Sequence, residues 1–230
     1  MNAMRIGLVC IALATSALPA TAQVRPSSTD IAAYTGLHSA AHRGDFAAIE
    51  RIVAATPRLL EARDQQGRTP LHVATFARQR GALQALLRSG ADHGALENGR
   101  YDAVTIAAVA NDEESLRLLL AGGASARLVT SRYDGTALIA AAHLGHHGVV
   151  QQLIAAGAPL DHVNNLHWTA LIEAIVLGDG GSRHLITLKA LLDAGANTQL
   201  TDREGRTPLQ LAQGRRYQAM TRALVAAGAH

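Results

Sequence analysis

Three histidines crowd one short stretch, HLGHH, at His143, His146 and His147. His143 and His147 are four apart, the spacing that binds zinc when both side chains stand on one continuous helix. Gly145 lies between them and is expected to end the helix there, so the two imidazoles should point apart. A second candidate is the run GDGG at 178–181, because glycine-rich turns that open a helix can cradle a phosphate with backbone N–H groups. Here no strand-like run precedes the glycines and no Gly-Lys-Ser/Thr follows. Glu173 and Asp179 flank that run, but no motif pairs two carboxylates for acid–base work, and no Ser/His/Asp arrangement has a local signature. In the first helix of its unit, Glu173 is expected to be solvated or hydrogen-bonded rather than catalytic. The reading is therefore a protein that is no enzyme and holds no cofactor and no metal. The alternative is a metal- or small-ligand-binding protein built on the histidines, with His184 recruited from the segment after the glycines.

The elements that would position these residues recur along the chain. GRTPLHVA at Gly67–Ala74 returns as GRTPLQLA at Gly205–Ala212, and GTALIAAA at Gly135 shares its frame with WTALIEAI at Trp168. Residues Thr35, Thr69, Asp102, Thr136, Thr169 and Thr207 are the common anchors, spaced 34, 33, 34, 33 and 38 residues apart. All six can cap a helix N-terminus by accepting from unpaired backbone N–H groups. Pro70 and Pro208 follow at the first helical position, where a missing N–H costs nothing. An apolar pair comes 17 and 18 residues after most anchors (Ile52-Val53, Leu86-Leu87, Leu119-Leu120, Leu153-Ile154, Leu224-Val225). Gly-Ala then closes a second helix at Gly90, Gly123, Gly157, Gly195 and Gly228, as a left-handed C-terminal cap does.

This unit resembles the ankyrin repeat, over residues 30–230. The resemblance implies an all-α solenoid of about six helix–turn–helix units with β-hairpin-like connecting loops, at roughly 30–63, 64–96, 97–130, 131–163, 164–201 and 202–230. In that family the histidines at the His38 and His72 positions hydrogen-bond neighbouring hairpins. The stretches SRYDGTALIAAAHLGH and HVNNLHWTALIEAIVLGDGG are also similar to a recurrent group of bacterial ankyrin proteins without a settled activity. Some turns depart from the pattern. Thr56-Pro57 replaces Gly-Ala in the first unit, and Asn111, Arg78 and Arg216 replace the inter-helix glycine. His167 replaces the hairpin glycine. Gly178 matches Gly44 and Gly145 as the inter-helix turn glycine of the fifth unit. The five extra residues of that unit are then an enlarged turn with some lengthening of the second helix, and shortening 179–184 to a normal turn should leave the fold nearly intact.

The first residues, MNAMRIGLVCIALATSALPATAQ, read as an export leader. Arg5 supplies a short positive region, residues 6–18 an apolar one, and Ala20-Thr21-Ala22 a small-x-small cleavage site, which places cleavage after Ala22. Cys10, the sole cysteine, lies inside this segment, so the mature chain has no thiol and folds without disulfides. The expected compartment is the bacterial periplasm, with secretion beyond it as the lesser alternative. The chain has 230 residues, of which 48% are hydrophobic and only 3% aromatic, so its core must be aliphatic. A formal charge of +3 without any basic block argues against a nucleic-acid partner. No membrane anchor remains after cleavage, and a monomer is expected.

Once leader and repeats are subtracted, little chain is left for a catalytic domain. The resemblance implies instead that a protein partner binds the concave face made by hairpins and first helices. The variable positions of that face lie one, three and four residues before the anchor and seven after it. Five of the seven aromatics fall there: Tyr34, Tyr101, Trp168, Tyr133 and Phe76. Arg68, Arg132, Arg206 and His143 share these positions. Tyr, Trp and Arg are the types enriched at binding hot spots. The partner-binding face is accordingly assigned to Arg68, Phe76, Tyr101, Arg132, Tyr133, His143, Trp168 and Arg206, with packing between hairpins as the alternative role. The family resemblance suggests an adaptor for a periplasmic enzyme such as a catalase, or an immunity-like inhibitor.

Overall fold

The structure is a computed structural model. It describes residue 23 and residues 25–230, and the expected leader at 1–22 lies outside them. After a short helix α1 (Ser28–Ala33), six helical pairs follow. These are α2 (Gly36–Arg43) with α3 (Phe46–Ala55), α4 (Pro70–Phe76) with α5 (Arg80–Arg88), and α6 (Ala103–Val109) with α7 (Glu113–Ala121). The remaining pairs are α8 (Ala137–Leu144) with α9 (His147–Ala155), α10 (Ala170–Val176) with α11 (Ser182–Asp193), and α12 (Pro208–Gly214) with α13 (Gln218–Ala226). First helices pack on first helices and second on second, from one unit to the next, giving two layers. The hairpin before α8 forms a true two-stranded ladder, β1 (Val129–Thr130) and β2 (Gly135–Thr136), antiparallel with Thr130 opposite Gly135.

The six anchors all stand at the N-cap of a first helix. Asp102 accepts from the Thr105 N–H at 2.8 Å, and Thr207 makes a reciprocal box with Gln210. Five residues after each anchor comes an alanine: Ala40, Ala74, Ala107, Ala141, Ala174 and Ala212. All are at most 1% exposed, because only a methyl group fits where adjacent first helices meet. Leu86, Leu119, Leu153, Leu191 and Leu224 form the matching buried column on the second helices. A largely aliphatic core follows from this division of small and large side chains.

The turns bear out most of the sequence reading. Arg78, Asn111 and Arg216 adopt the left-handed backbone of the glycines they replace, with φ of 55°, 49° and 59°, and His167 does the same in its hairpin at 63°. In the first unit, α3 ends at Thr56 and a 3-10 helix (Pro57–Glu61) follows in place of a glycine stop. The fifth unit corrects the reading. Gly178 is not the left-handed turn residue; Gly180 is, with φ of 72°. Gly178 is needed for close approach instead, since a β-carbon there would lie 2.1 Å from the Ala174 carbonyl oxygen and 2.9 Å from the His184 ring. Helix α11 has 12 residues against nine in α9, so most of the insertion is helix. His184 is buried, and its Nε2 donates to the His143 carbonyl of the preceding unit at 2.9 Å. The Tyr217 hydroxyl of the following unit donates to the Gly178 carbonyl at 3.0 Å. The segment is thus packed between its neighbours and is not a free loop.

Candidate functional site

One device fixes every hairpin. The residue five before the anchor turns its side chain back onto backbone N–H groups of its own turn. Asp64 Oδ1 accepts from Gln66 and Arg68, Asn164 Oδ1 from Leu166 and Trp168, and Asp202 Oδ1 from Glu204 and Arg206, all at 2.9–3.0 Å. Ser131 Oγ accepts from Tyr133 at 3.2 Å, and Glu97 Oε1 from Tyr101 at 3.1 Å. The residue just before the anchor is thereby presented in the same way in each unit, and what differs is its chemistry.

Arg68 is not part of an exposed face. Its side chain is 0% exposed, and it donates to Asp64 Oδ2 at 2.7 Å and to Asp30 Oδ2 at 2.9 Å. The hydrogen bond from Arg68, followed by that from the Ser27 N–H, holds the Asp30 carboxyl down to about 2. Burial pushes Asp64 up, but hydrogen bonds from Arg68 and from the Tyr34 hydroxyl outweigh it, and its pKa lies below the usual carboxylate range. Tyr34 is likewise spent, on Asp64 at 3.0 Å. Arg206, the counterpart of Arg68, is 54% exposed and pairs with Asp202 and Glu204 at 2.6 and 2.9 Å. Arg132 is exposed, and Phe76 is half-buried at the end of α4. Trp168 is half-buried and packs against the core, so it has a structural share whatever else it does.

Tyr101, Tyr133 and His143 do come together. They line a pocket with a volume of about 200 Å³, bounded by hairpins and by α6, α8 and α10, with no contribution from the second helices. Its apolar walls include Val109, Ile139 and Leu144. Two polar residues that the sequence reading did not assign to the site, Asn164 and Glu173, also line it. Glu173 is buried and hydrogen-bonded; its Oε1 accepts from Asn164 Nδ2 at 3.0 Å. Among the described residues its Oε2 has no hydrogen-bond partner, and His143 Nδ1 stands 3.4 Å away. The legible sign was positional. Four residues after the anchor the other later units carry Val73, Ile106, Ala140 and Leu211, and Glu173 interrupts that apolar column.

Other histidines bind neighbouring units together. His38 Nε2 donates to the Arg68 carbonyl at 2.9 Å, His72 Nε2 to Tyr101 at 3.1 Å, and His146 Nδ1 to Ala108 at 3.0 Å. Burial pushes the His72 pKa down to about 4. His143 and His147 belong to α8 and α9, with Gly145 left-handed between them at φ 66°. Among the described residues no three ligand-type side chains converge.

Known proteins agree with this architecture. A family model described as "Ankyrin repeats (3 copies)" matches residues 5–97 and 104–180. The chain belongs to the ankyrin-repeat family. It is 35% identical over 167 residues to the ankyrin repeat protein YahD of Escherichia coli (strain K12), spanning 72% of this chain and 83% of the relative. The crystal structure of an ankyrin repeat domain from Acinetobacter baumannii AYE superposes with a TM-score of 0.79 at 43% identity, covering 84% of this chain and 98% of that one. The ankyrin repeat domain of Bcl-3, a member of the IkappaB family, gives 0.77 at 29% identity, covering 86% and 88%. Ankyrin domains mediate protein–protein interaction, and chains built of them are characteristically non-catalytic scaffolds; this chain is one.

Proposed function

We propose that this chain is an exported scaffold that grips a protein partner in the concave groove between its hairpins and first helices. The observation that carries the reading is the pocket where Tyr101, Tyr133 and His143 meet. Aromatic rings bordering a concavity, with polar groups at one end, are the usual anchor site of an interface. Arg132 and Trp168 flank it on the hairpins, and Phe76 and Arg206 extend the face toward either end. Export rests on the leader-like residues 1–22. Among the described residues no helix is long and apolar enough to cross a membrane. An adaptor for a periplasmic enzyme and an immunity-like inhibitor both fit this reading.

Pull-down from a periplasmic extract with the intact chain and with Tyr133→Ala tests the proposal. A partner retained by the first and lost by the folded second supports it. A partner retained equally by both moves the interface off this face. N-terminal sequencing of the exported product should begin at Gln23; a full-length product removes export from the proposal.

A further inference from the structure

Glu173 weakens the fold where its sister residues strengthen it. At the same place in the repeat Val73, Ile106 and Leu211 bury aliphatic side chains in the stack. The Glu173 side chain is 5% exposed, and a buried carboxylate oxygen without a donor is destabilising. Asn164 satisfies Oε1, Oε2 is buried and unmatched among the described residues, and the residue itself lines the pocket. His143 Nδ1 at 3.4 Å is beyond good hydrogen-bond distance. Such a group is complete only when something brings a donor to it.

We infer that the Glu173 end of this pocket receives the ammonium group of a lysine side chain, carried on an extended segment of the protein partner. The inference rests on the concave-face reading above and names what the groove selects. A guanidinium is best bound by both oxygens of a carboxylate. Here Asn164 already occupies one, so a compact ammonium, content with one charged oxygen and nearby hydroxyls, fits better. The four-carbon stem of lysine would lie along Tyr101, Val109, Tyr133 and Leu144, as amphipathic side chains do. The chain itself places a long polar side chain here. Gln23 lines the same pocket, and its Nε2 is buried without an acceptor among the described residues. An uncharged amide therefore enters the pocket and leaves Glu173 Oε2 unmatched.

The test uses the full chain and four blocked pentapeptides that differ only at the centre: lysine, arginine, glutamine or norleucine. Binding is read by NMR shift changes of pocket residues. The lysine peptide should bind about tenfold more tightly than the norleucine peptide, and more tightly than the arginine one, because a charge-assisted hydrogen bond is worth about one decade or more. Glu173→Gln should abolish that preference while leaving the urea midpoint unchanged or raised. Glu173→Val, the side chain of the second unit, serves if the first variant folds poorly. Equal binding of lysine and norleucine peptides, or a lysine preference that survives in both variants, overturns the inference. Free pentylammonium binding as tightly as the lysine peptide overturns the polypeptide source. A partner that needs Tyr133 but binds Glu173→Gln unchanged leaves the concave-face reading standing and removes this one.

Discussion

The outer hairpins and the middle ones share one backbone turn and differ in what they do with charge. In the second and sixth units the turn is closed by Asp64 and Asp202, and each holds the arginine four residues on, Arg68 or Arg206. In the third, fourth and fifth units the closing residues are Glu97, Ser131 and Asn164, and Tyr101, Gly135 and Trp168 stand where the arginines would. A buried arginine bound to its own turn, as Arg68 is, is committed to structure. A tyrosine or tryptophan there leaves an apolar surface that a partner can cover. The pocket opens among the middle units, where this internal ion pair is missing.

The largest effect expected separates the two arginines. Arg68→Ala would leave Asp64, itself 11% exposed, and Asp30 without their shared cation. Removing one partner of a buried pair costs about 4 kcal/mol. Urea unfolding should show this as a sharply lowered midpoint, with partner binding by the remaining folded protein unchanged. A loss under about 1 kcal/mol, the range of exposed pairs, would mean that Arg68 is no more structural than a surface residue.

A second contrast lies three residues after the anchor, where the second unit has His72 and the fourth and fifth have Ile139 and Ile172. Burial lowers the His72 pKa from 6.5 to about 4, so the fold holds the neutral imidazole. Its contribution is complete above pH 6.5 and is lost as pH falls through that value toward 4, because the unfolded chain binds the proton first. The loss across that window is about 3 kcal/mol. His146, also lowered by burial, acts in the same direction. Gln210 caps Thr207 at this position in the last unit, so His72→Gln keeps a capping partner while removing the titration. The variant should show a flatter midpoint between pH 6.5 and 4.5. An unchanged slope would assign the acid sensitivity elsewhere.

The repeat was readable from sequence because its determinants are local. Caps, glycine stops and apolar pairs recur at fixed distances, and each acts within a few residues of itself. The site was less readable because burial depends on contacts between units. The pair Asp64–Arg68 repeats as Asp202–Arg206 in the letters, yet α1 brings Asp30 to the first pair and makes its arginine a core residue. The insertion shows the same limit. Its glycines were visible, but the contacts of His184 with His143 and of Tyr217 with Gly178, made between units, were not. Glu173 was visible as an acid; that it faced Asn164 and a pocket was not.

Within the middle units, Tyr133 and Trp168 should separate binding from stability. Tyr133 lines the pocket, whereas Trp168 packs against the core. Tyr133→Ala should weaken partner binding about 30-fold, equivalent to a hot-spot loss of about 2 kcal/mol, with little change in the urea midpoint. Trp168→Ala should lower the midpoint as well. If Tyr133→Ala destabilises the chain and leaves affinity intact, the middle hairpins are packed surfaces like the outer ones, and the contrast drawn between them fails.

The smallest effect belongs to Arg206, and it completes the contrast with Arg68. The two occupy the same position before the anchor and bind an aspartate in the same turn. Arg206 is 54% exposed, so water screens its side of the pairing; Asp202 is 1% exposed, but its Oδ1 keeps the Glu204 and Arg206 backbone N–H groups when the arginine side chain is removed. Pairs with an exposed partner of this kind contribute about 0.5 kcal/mol, and salt weakens them further. Arg206→Ala should therefore move the urea midpoint slightly at low ionic strength and hardly at all in 1 M salt. Arg68→Ala should keep most of its effect in the same salt, because ions do not enter a buried pair. Equal salt dependence in the two variants would show that sequence position, rather than burial by α1, sets the worth of this arginine.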